Sequence, residues 1–340
     1  MKSEQITPKN QLQQEPMGEI LRPILREAEP SPKAPTTRGS GKNKEGESMP
    51  FHGIPSTSAG AGAVKSGATR VSRAQLDAIA RDLSGRDRAV LSALKKHRFL
   101  LSKQVQRLLF TESATERGNF IAANRALNRL ESLGLIRCLK RRIGGVRAGS
   151  SGKVWHLTER GLRLLHLSDT EKLPRKPFEE PSPTFLRHTL SVAECAVQLH
   201  TLCRESEDME LVAVDSEPSC WRFFRDNGQA CQLKPDLFVV TNYDDYEDRW
   251  FIEIDLGTES PTQVVEKCKM YRRYFYTGKE QEEHEVFPLV VWIVKDSTRK
   301  ERLKQYIREG LPRQPRMFTV ITPDELKPLI HQWLGQEALC

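Results

Sequence analysis

Residues 250–256 read WFIEIDL, and in a β-strand their side chains would alternate between two faces. One face is wholly apolar and consists of Trp250, Ile252, Ile254 and Leu256. The other face carries two acids, Glu253 and Asp255. The pattern predicts a core strand with both carboxylates on the same side, and the alternative interpretation is the exposed face of an edge strand.

Asp236, Glu194 and Lys267 are candidates to join these two acids. An antiparallel hairpin over residues 242–248, NYDDYED, would place Asp236 on the strand next to Glu253. Helical spacing puts Glu194 and Lys267 on core-facing sides of their helices, although an ordinary helix surface or a structural ion pair also explains each of them. These five charged residues are the candidate catalytic residues. We expect Asp236, Glu253 and Asp255 to share one Mg²⁺ or Mn²⁺ ion. Glu194 would lie at its margin and Lys267 nearby, because crowded carboxylates require a compensating cation.

The hydrophobic pattern around this strand predicts an α/β (α+β) domain over residues 185–340. The expected elements are a helix at about 185–205, strands near 210–215, 235–241 and 249–256, a helix at 261–276, a strand at 287–295, a helix at 297–309, a strand at 317–321 and a last helix from Pro323. The order α-β-β-β-α-β is the core of the PD-(D/E)XK nuclease fold.

A second domain is predicted over residues 73–168. Apolar side chains at helical spacing occur in 85–100 (GRDRAVLSALKKHRFL), 102–110 (SKQVQRLLF) and 119–136 (NFIAANRALNRLESLGLI). IRCLKRR at 136–142, a Gly- and Ser-rich tip and KVWHLTERGLRLL at 153–165 indicate two short strands and a closing helix. Three helices followed by a β-hairpin form a winged helix-turn-helix.

Positive charge is concentrated in this predicted domain. Residues 86–166 contain 18 Lys or Arg and 5 Asp or Glu, whereas the whole chain carries a net charge of only +8. A local basic surplus is typical of a surface that binds double-stranded DNA. A protein-binding or merely solvated surface is the alternative.

The second helix of a helix-turn-helix enters the major groove, where Arg reads guanine and Asn reads adenine. The candidate base contacts are Asn124, Arg125, Asn128 and Arg129. The cations around the hairpin tip are expected to contact phosphates and are Lys140, Arg141, Arg142, Arg147 and Lys153.

The remaining segments predict no further folded domain. Residues 1–72 are rich in Pro, Ser, Gly, Lys and Glu and are predicted to form a disordered arm, and residues 169–184 contain four prolines and are predicted to be a linker. The seven cysteines include no CxxC pair, which favours reduced thiols in a reducing compartment. The chain has no apolar run of membrane-spanning length, so we expect a cytoplasmic protein with no membrane partner.

Residues 86–310 resemble the bacterial replication-relaxation family, whose members are associated with plasmids and integrative elements. The resemblance rests on the winged-helix start and on RHTLSVAE at 187–194, PDLFVV at 235–240, FIEIDLGTES at 251–260 and EKCKMYRRY at 266–274. It implies a role in plasmid replication and relaxation.

The wider resemblance is to the PD-(D/E)XK superfamily. Asp236 and Glu253 match its first two motif positions, and Glu194 matches its helical acid. Asp255 stands where the motif has lysine. This departure implies either that Lys267 supplies the amine from the helix, or that the fold serves as a binding platform without cleavage.

Three functions remain open on this basis. The leading one is a DNA-binding accessory or initiator protein for plasmid or mobile-element DNA, working with other replication or mobilisation proteins. The second is a metal-dependent endonuclease or nickase, and the third is a winged-helix transcriptional regulator. A relaxase with a tyrosine nucleophile among Tyr271, Tyr274 and Tyr276 is weaker, because no histidine cluster accompanies these residues and His188 and His200 stand isolated in the sequence.

Overall fold

The structure is a computed structural model that describes residues 71–140, 152–167, 178–243, 246–313 and 317–335. The predicted mixed α/β class is confirmed. Most of the predicted disordered arm and of the predicted linker lies outside the described residues.

The N-terminal unit, residues 71–167, contains five helices and three short strands in its described part. They are α1 (Arg73–Asp82), α2 (Gly85–His97), β1 (Leu100–Leu101), α3 (Ser102–Leu109), α4 (Glu116–Ser132), β2 (Ile136–Cys138), β3 (Val154–Leu157) and α5 (Glu159–Leu165). The strands form an antiparallel sheet in the order β1-β3-β2. This order of helices and strands agrees with the predicted one, to which the structure adds α1 and the short strand β1.

Local sequence signals fix the ends of these helices. The Ser84 and Asp87 side chains form a capping box at the start of α2, and Thr115 caps α4 by accepting a hydrogen bond from Gly118 N. Gly134 adopts φ +68° just after α4, a conformation that costs little only for glycine, and so turns the chain into β2. The apolar faces of the helices meet in one core around Leu91, Leu127 and Trp155.

The C-terminal unit, residues 178–335, is a five-stranded sheet covered by helices on both faces. Its elements are α6 (Pro183–Glu205), β4 (Met209–Ser216), β5 (Arg222–Asp226), β6 (Gln229–Leu233), β7 (Leu237–Tyr243), β8 (Tyr246–Asp255), α7 (Pro261–Phe275), α8 (Lys279–His284), β9 (Leu289–Val294), α9 (Ser297–Gly310), β10 (Phe318–Ile321), a 3₁₀ turn (Pro323–Glu325) and α10 (Leu326–Gly335). The strand order is β10-β9-β8-β7-β4, antiparallel from β4 to β8 and parallel from β8 to β10.

The predicted order of core elements is therefore present, with the β5–β6 hairpin as an addition between β4 and β7. A two-residue turn, Asn227–Gly228, joins its strands, and both residues have positive φ, +47° and +81°. An Asn-Gly pair is the preferred sequence for this turn, so the hairpin had a signal in the sequence that our prediction missed.

The strand β8 lies at the centre of the sheet, which excludes the edge-strand interpretation. Its Trp250, Ile252 and Ile254 pack in the core beneath α6 and α10, whereas Phe251 packs in the core beneath α7 and α9. By strand alternation Glu253 and Asp255 lie on the α7 and α9 side. Both are almost fully buried.

The two units pack directly against each other along α3 and α6. Gln104 Nε2 in α3 donates a hydrogen bond to the carbonyl of Leu190 in α6, 3.0 Å away, and the Arg204 guanidinium donates to the carbonyl of Leu108 at 3.0 Å. Apolar side chains from both units meet beside these bonds, namely Phe99, Leu139, Val154, Leu186 and Leu190. The described parts of the units are thus held by both polar and apolar contacts.

Candidate functional site

Glu253 is at the centre of a buried cluster of charged groups at one end of β7 and β8. Its Oε1 accepts a hydrogen bond from the Tyr271 hydroxyl at 2.5 Å, and its Oε2 lies 2.6 Å from Lys267 Nζ. Burial raises the pKa of Glu253, and the Lys267 ammonium opposes that rise by stabilising the ionised carboxylate. The helix α7 therefore brings Lys267 to the carboxylates, where its ammonium balances the buried charge of Glu253.

Asp236 occupies the residue before β7 and belongs to the same cluster. Its Oδ2 accepts a hydrogen bond from Ile254 N at 2.7 Å and lies 3.3 Å from His188 Nε2. Burial acts to raise the pKa of Asp236, but the hydrogen bond from His188 and the charge of Lys267 outweigh it and hold the pKa below its usual range. In turn, Asp236 raises the pKa of His188.

Asp255 has different neighbours. Its Oδ1 accepts a hydrogen bond from Gly257 N at 2.8 Å, and its Oδ2 accepts one from Arg299 Nε in α9 at 2.5 Å. Arg299 also donates to the carbonyl of Glu259, 2.8 Å away. Asp255 thus connects the turn after β8 to α9 through these hydrogen bonds.

The prediction that Asp236, Glu253 and Asp255 bind one metal ion does not match the partners that these carboxylates have in the structure. Each carboxylate already faces protein donors, and a divalent ion would have to displace Lys267, His188 or Arg299 from them. Within the described residues, no group of three or more His, Cys, Asp or Glu side chains is arranged to hold a metal ion. The side chains as folded therefore do not fit a shared Mg²⁺ or Mn²⁺.

The sequence predicts Glu194 at the margin of this cluster, and its contacts in the structure are with the N-terminal unit. Glu194 does lie on a packed side of α6, but the neighbour on that side is α3 of the N-terminal unit. Its carboxylate forms an ion pair with Arg107 and accepts a hydrogen bond from Gln104 Nε2 at 3.1 Å. Glu194 thus joins the two units.

Sequence reasoning did not place His188, Glu259 or Arg299 near the carboxylates. His188 lies in the second turn of α6 and reaches Asp236 and the Ile254 carbonyl, so it is not isolated as its sequence position suggested. Glu259 lies 3.9 Å from Lys267 Nζ. Helical spacing shows which side of a helix is packed but not which strand end a given turn meets, so no sequence signal located His188.

The helix α4 carries the predicted base contacts, and its buried residues Ala123, Leu127 and Leu130 fix which side faces outward. The exposed side forms one stripe made of Arg117, Ile121, Arg125 and Asn128. Large apolar side chains are also exposed on this helix, since Phe120 is 43% and Ile121 is 41% accessible.

Two of the four predicted base contacts already have partners within the protein. Asn124 Nδ2 donates a hydrogen bond to the Phe120 carbonyl one turn earlier, at 2.9 Å. Arg129 pairs with the buried carboxylate of Asp87, so its guanidinium stabilises the junction of α2 and α4. Arg125 and Asn128 are exposed and remain the stronger candidates.

The predicted phosphate contacts on the hairpin are only partly within the described residues. Lys140 and Lys153 are exposed at the two ends of the hairpin loop, and Lys153 Nζ lies 5.4 Å from the centre of the Trp155 ring. Arg141, Arg142 and Arg147 lie outside the described residues.

None of the helices in the described part of the chain combines the length and the hydropathy that a membrane span requires.

Neither the curated proteins nor the solved structures gave a match. The family model described as replication-relaxation matches residues 91–290, which include α4, the hairpin and the buried charge cluster. Because this match covers more than half of the sequence, the chain belongs to the replication-relaxation family.

Proposed function

We propose that the chain is a DNA-binding protein that serves the replication or relaxation of plasmid or mobile-element DNA. Its N-terminal unit would act as a winged helix-turn-helix, with α3 and α4 as the helix pair and the β2–β3 hairpin as the wing. Family membership supports the role in replication and relaxation. Other replication or mobilisation proteins are its expected partners.

One observation carries the proposal of DNA binding: α4 buries its apolar side and presents Arg117, Arg125 and Asn128 along the outer side. Arg and Asn side chains are the ones that hydrogen-bond guanine and adenine edges in the major groove. The local surplus of Lys and Arg over residues 86–166 supplies the phosphate attraction that such docking requires.

Removing a phosphate contact from the wing provides the first test. We expect Lys153→Ala to weaken binding to all duplexes about equally and to reduce the slope of log affinity against log salt by about 1. The measurement is fluorescence anisotropy of labelled duplexes of unrelated sequence, titrated at several salt concentrations. Lys327→Ala is the matched control, because it removes an exposed lysine from α10 in the other unit. Equal slopes for the two variants would refute the phosphate role of Lys153.

The second candidate function is a metal-dependent endonuclease or nickase with a variant PD-(D/E)XK site. One observation favours it: Lys267 Nζ lies 2.6 Å from Glu253 and could supply the amine that the motif lacks at Asp255. The protein donors that face the three carboxylates favour the opposite conclusion. We therefore propose that the C-terminal unit is a binding platform and that Mg²⁺ or Mn²⁺ belongs to the alternative alone.

A nicking assay separates these two functions. We expect supercoiled plasmid incubated with the protein and Mg²⁺ or Mn²⁺ to yield no more nicked circles than an EDTA control, while duplex binding is retained. Metal-dependent nicking by the wild type would establish the endonuclease instead, provided that Asp236→Ala and Glu253→Gln proteins bind DNA equally well and do not nick.

A further inference from the structure

A cavity of about 770 Å³ opens between the β5–β6 hairpin and the end of α7, apart from both sites described above. It is lined by two exposed aromatic rings, Phe223 and Tyr276, and by the side chains of Arg225, Arg273 and Lys279. We propose that this cavity binds single-stranded nucleic acid. The proposal goes beyond duplex recognition by α4 and does not depend on it.

The hairpin is built so that one of its aromatic residues faces outward. Phe224 is buried and packs on Tyr274 of α7, with ring centres 5.3 Å apart. Phe223, by contrast, lines the cavity and is 67% accessible. The ring of Phe223 is therefore accessible to a base that stacks on it.

The second ring comes from the other wall of the cavity. Tyr276 follows the last residue of α7 and is 58% accessible. Lys279 Nζ donates a hydrogen bond to the carbonyl of Phe223 at 3.1 Å, which fixes the start of α8 against the hairpin. This hydrogen bond therefore connects the two walls of the cavity that carry Phe223 and Tyr276.

The charge of the cavity wall is positive. Arg225, Arg273 and Lys279 face a single lining acid, Asp226, whose carboxylate lies 3.7 Å from Arg273 Nε. Asp226 offsets one of the three charges, and a net positive surface remains beside the rings. Cations that attract phosphates next to rings that stack on bases are the features by which proteins bind single strands.

The exposed aromatic rings favour a single strand over a duplex as the ligand of this cavity. In a duplex the faces of the bases are covered by their neighbours, whereas an unpaired strand offers each base to an aromatic side chain. Replication and relaxation of DNA both expose unpaired strands, so such a surface would be useful to this family.

The test is fluorescence anisotropy of the full-length chain with labelled oligo-dT, oligo-U and a DNA duplex. We expect Phe223→Ala and Tyr276→Ala each to weaken binding to the single strands by about tenfold. Phe223→Trp and Tyr276→Phe keep a ring and should retain affinity, which shows that the alanine effects do not come from misfolding. Tyr246→Ala is the matched control, since Tyr246 is 51% accessible and is not a lining residue.

The affinities for the two single strands and for the duplex together decide whether the proposal holds. Loss of affinity for the single strands with unchanged duplex affinity supports the proposal, and the ratio of oligo-dT to oligo-U affinity tells whether the cavity prefers DNA or RNA. Wild-type protein that binds neither oligo-dT nor oligo-U overturns it. Equal affinities for wild type and alanine variants, or an equal loss on the duplex, also overturn it.

Discussion

Replacement of Lys267 by methionine is expected to lower the free energy of unfolding by about 3–5 kcal/mol. Within the described part of the chain, the substitution leaves the buried Glu253 carboxyl with the Tyr271 hydroxyl as its remaining side-chain partner. Glu253 would then take up a proton or remain as an uncompensated charge, and either outcome is costly inside the protein. Thermal denaturation should show a fall in Tm of about 6–20 °C.

A neighbouring lysine on the same helix provides the matched control for this experiment. Lys269 pairs with Glu266 on the surface of α7, so Lys269→Met should cost no more than about 1 kcal/mol. The double variant Lys267→Met/Glu253→Gln should recover part of the lost stability, because it removes both charges together. Equal costs for Lys267→Met and Lys269→Met would show that the Lys267–Glu253 pair does not stabilise the fold.

Substitutions on α4 are expected to have the largest effects on DNA recognition. Arg125→Ala and Asn128→Ala should each reduce the preference for a selected duplex over a random one by about 1–3 kcal/mol, because each removes donors to a base edge. The preferred duplex is first selected from a randomised pool with the wild-type protein. Competition binding then measures how much preference each variant retains.

Arg129 lies one turn beyond Arg125 and gives a control of equal charge. Because Arg129 pairs with the buried Asp87, Arg129→Ala should lower the stability of the N-terminal unit and leave the sequence preference largely intact. If all three variants changed the preference alike, the outer stripe of α4 would not be the surface that reads DNA.

Much of the fold could be predicted because alternation and helical spacing are local properties. The alternation in WFIEIDL correctly placed Glu253 and Asp255 on one face of a core strand, and the expected bounds of most helices and strands agree closely with those observed. The β5–β6 hairpin was missed although Asn227–Gly228 is a strong turn signal. Most of the fold therefore follows from periodicity and turn residues.

The partners of the charged residues could not be predicted, because they depend on packing between distant segments. The guanidinium that engages Asp255 belongs to Arg299, 44 residues further along the chain. Glu194 was correctly assigned to a packed side of α6, but spacing within one helix does not reveal that α3 covers it. The sequence pattern behind the candidate metal site did not reveal these cations, because a shared strand face does not show which distant side chains pack against it.

The N-terminal unit is proposed to bind duplex DNA through α4 and the neighbouring cations. The most direct measurement is the affinity of the full-length chain for its preferred duplex between about 50 and about 200 mM salt. We predict that log affinity falls linearly with log salt, with a slope steeper than about −3, as expected when several Lys and Arg side chains displace counterions. An affinity that does not change over this range would contradict the claim.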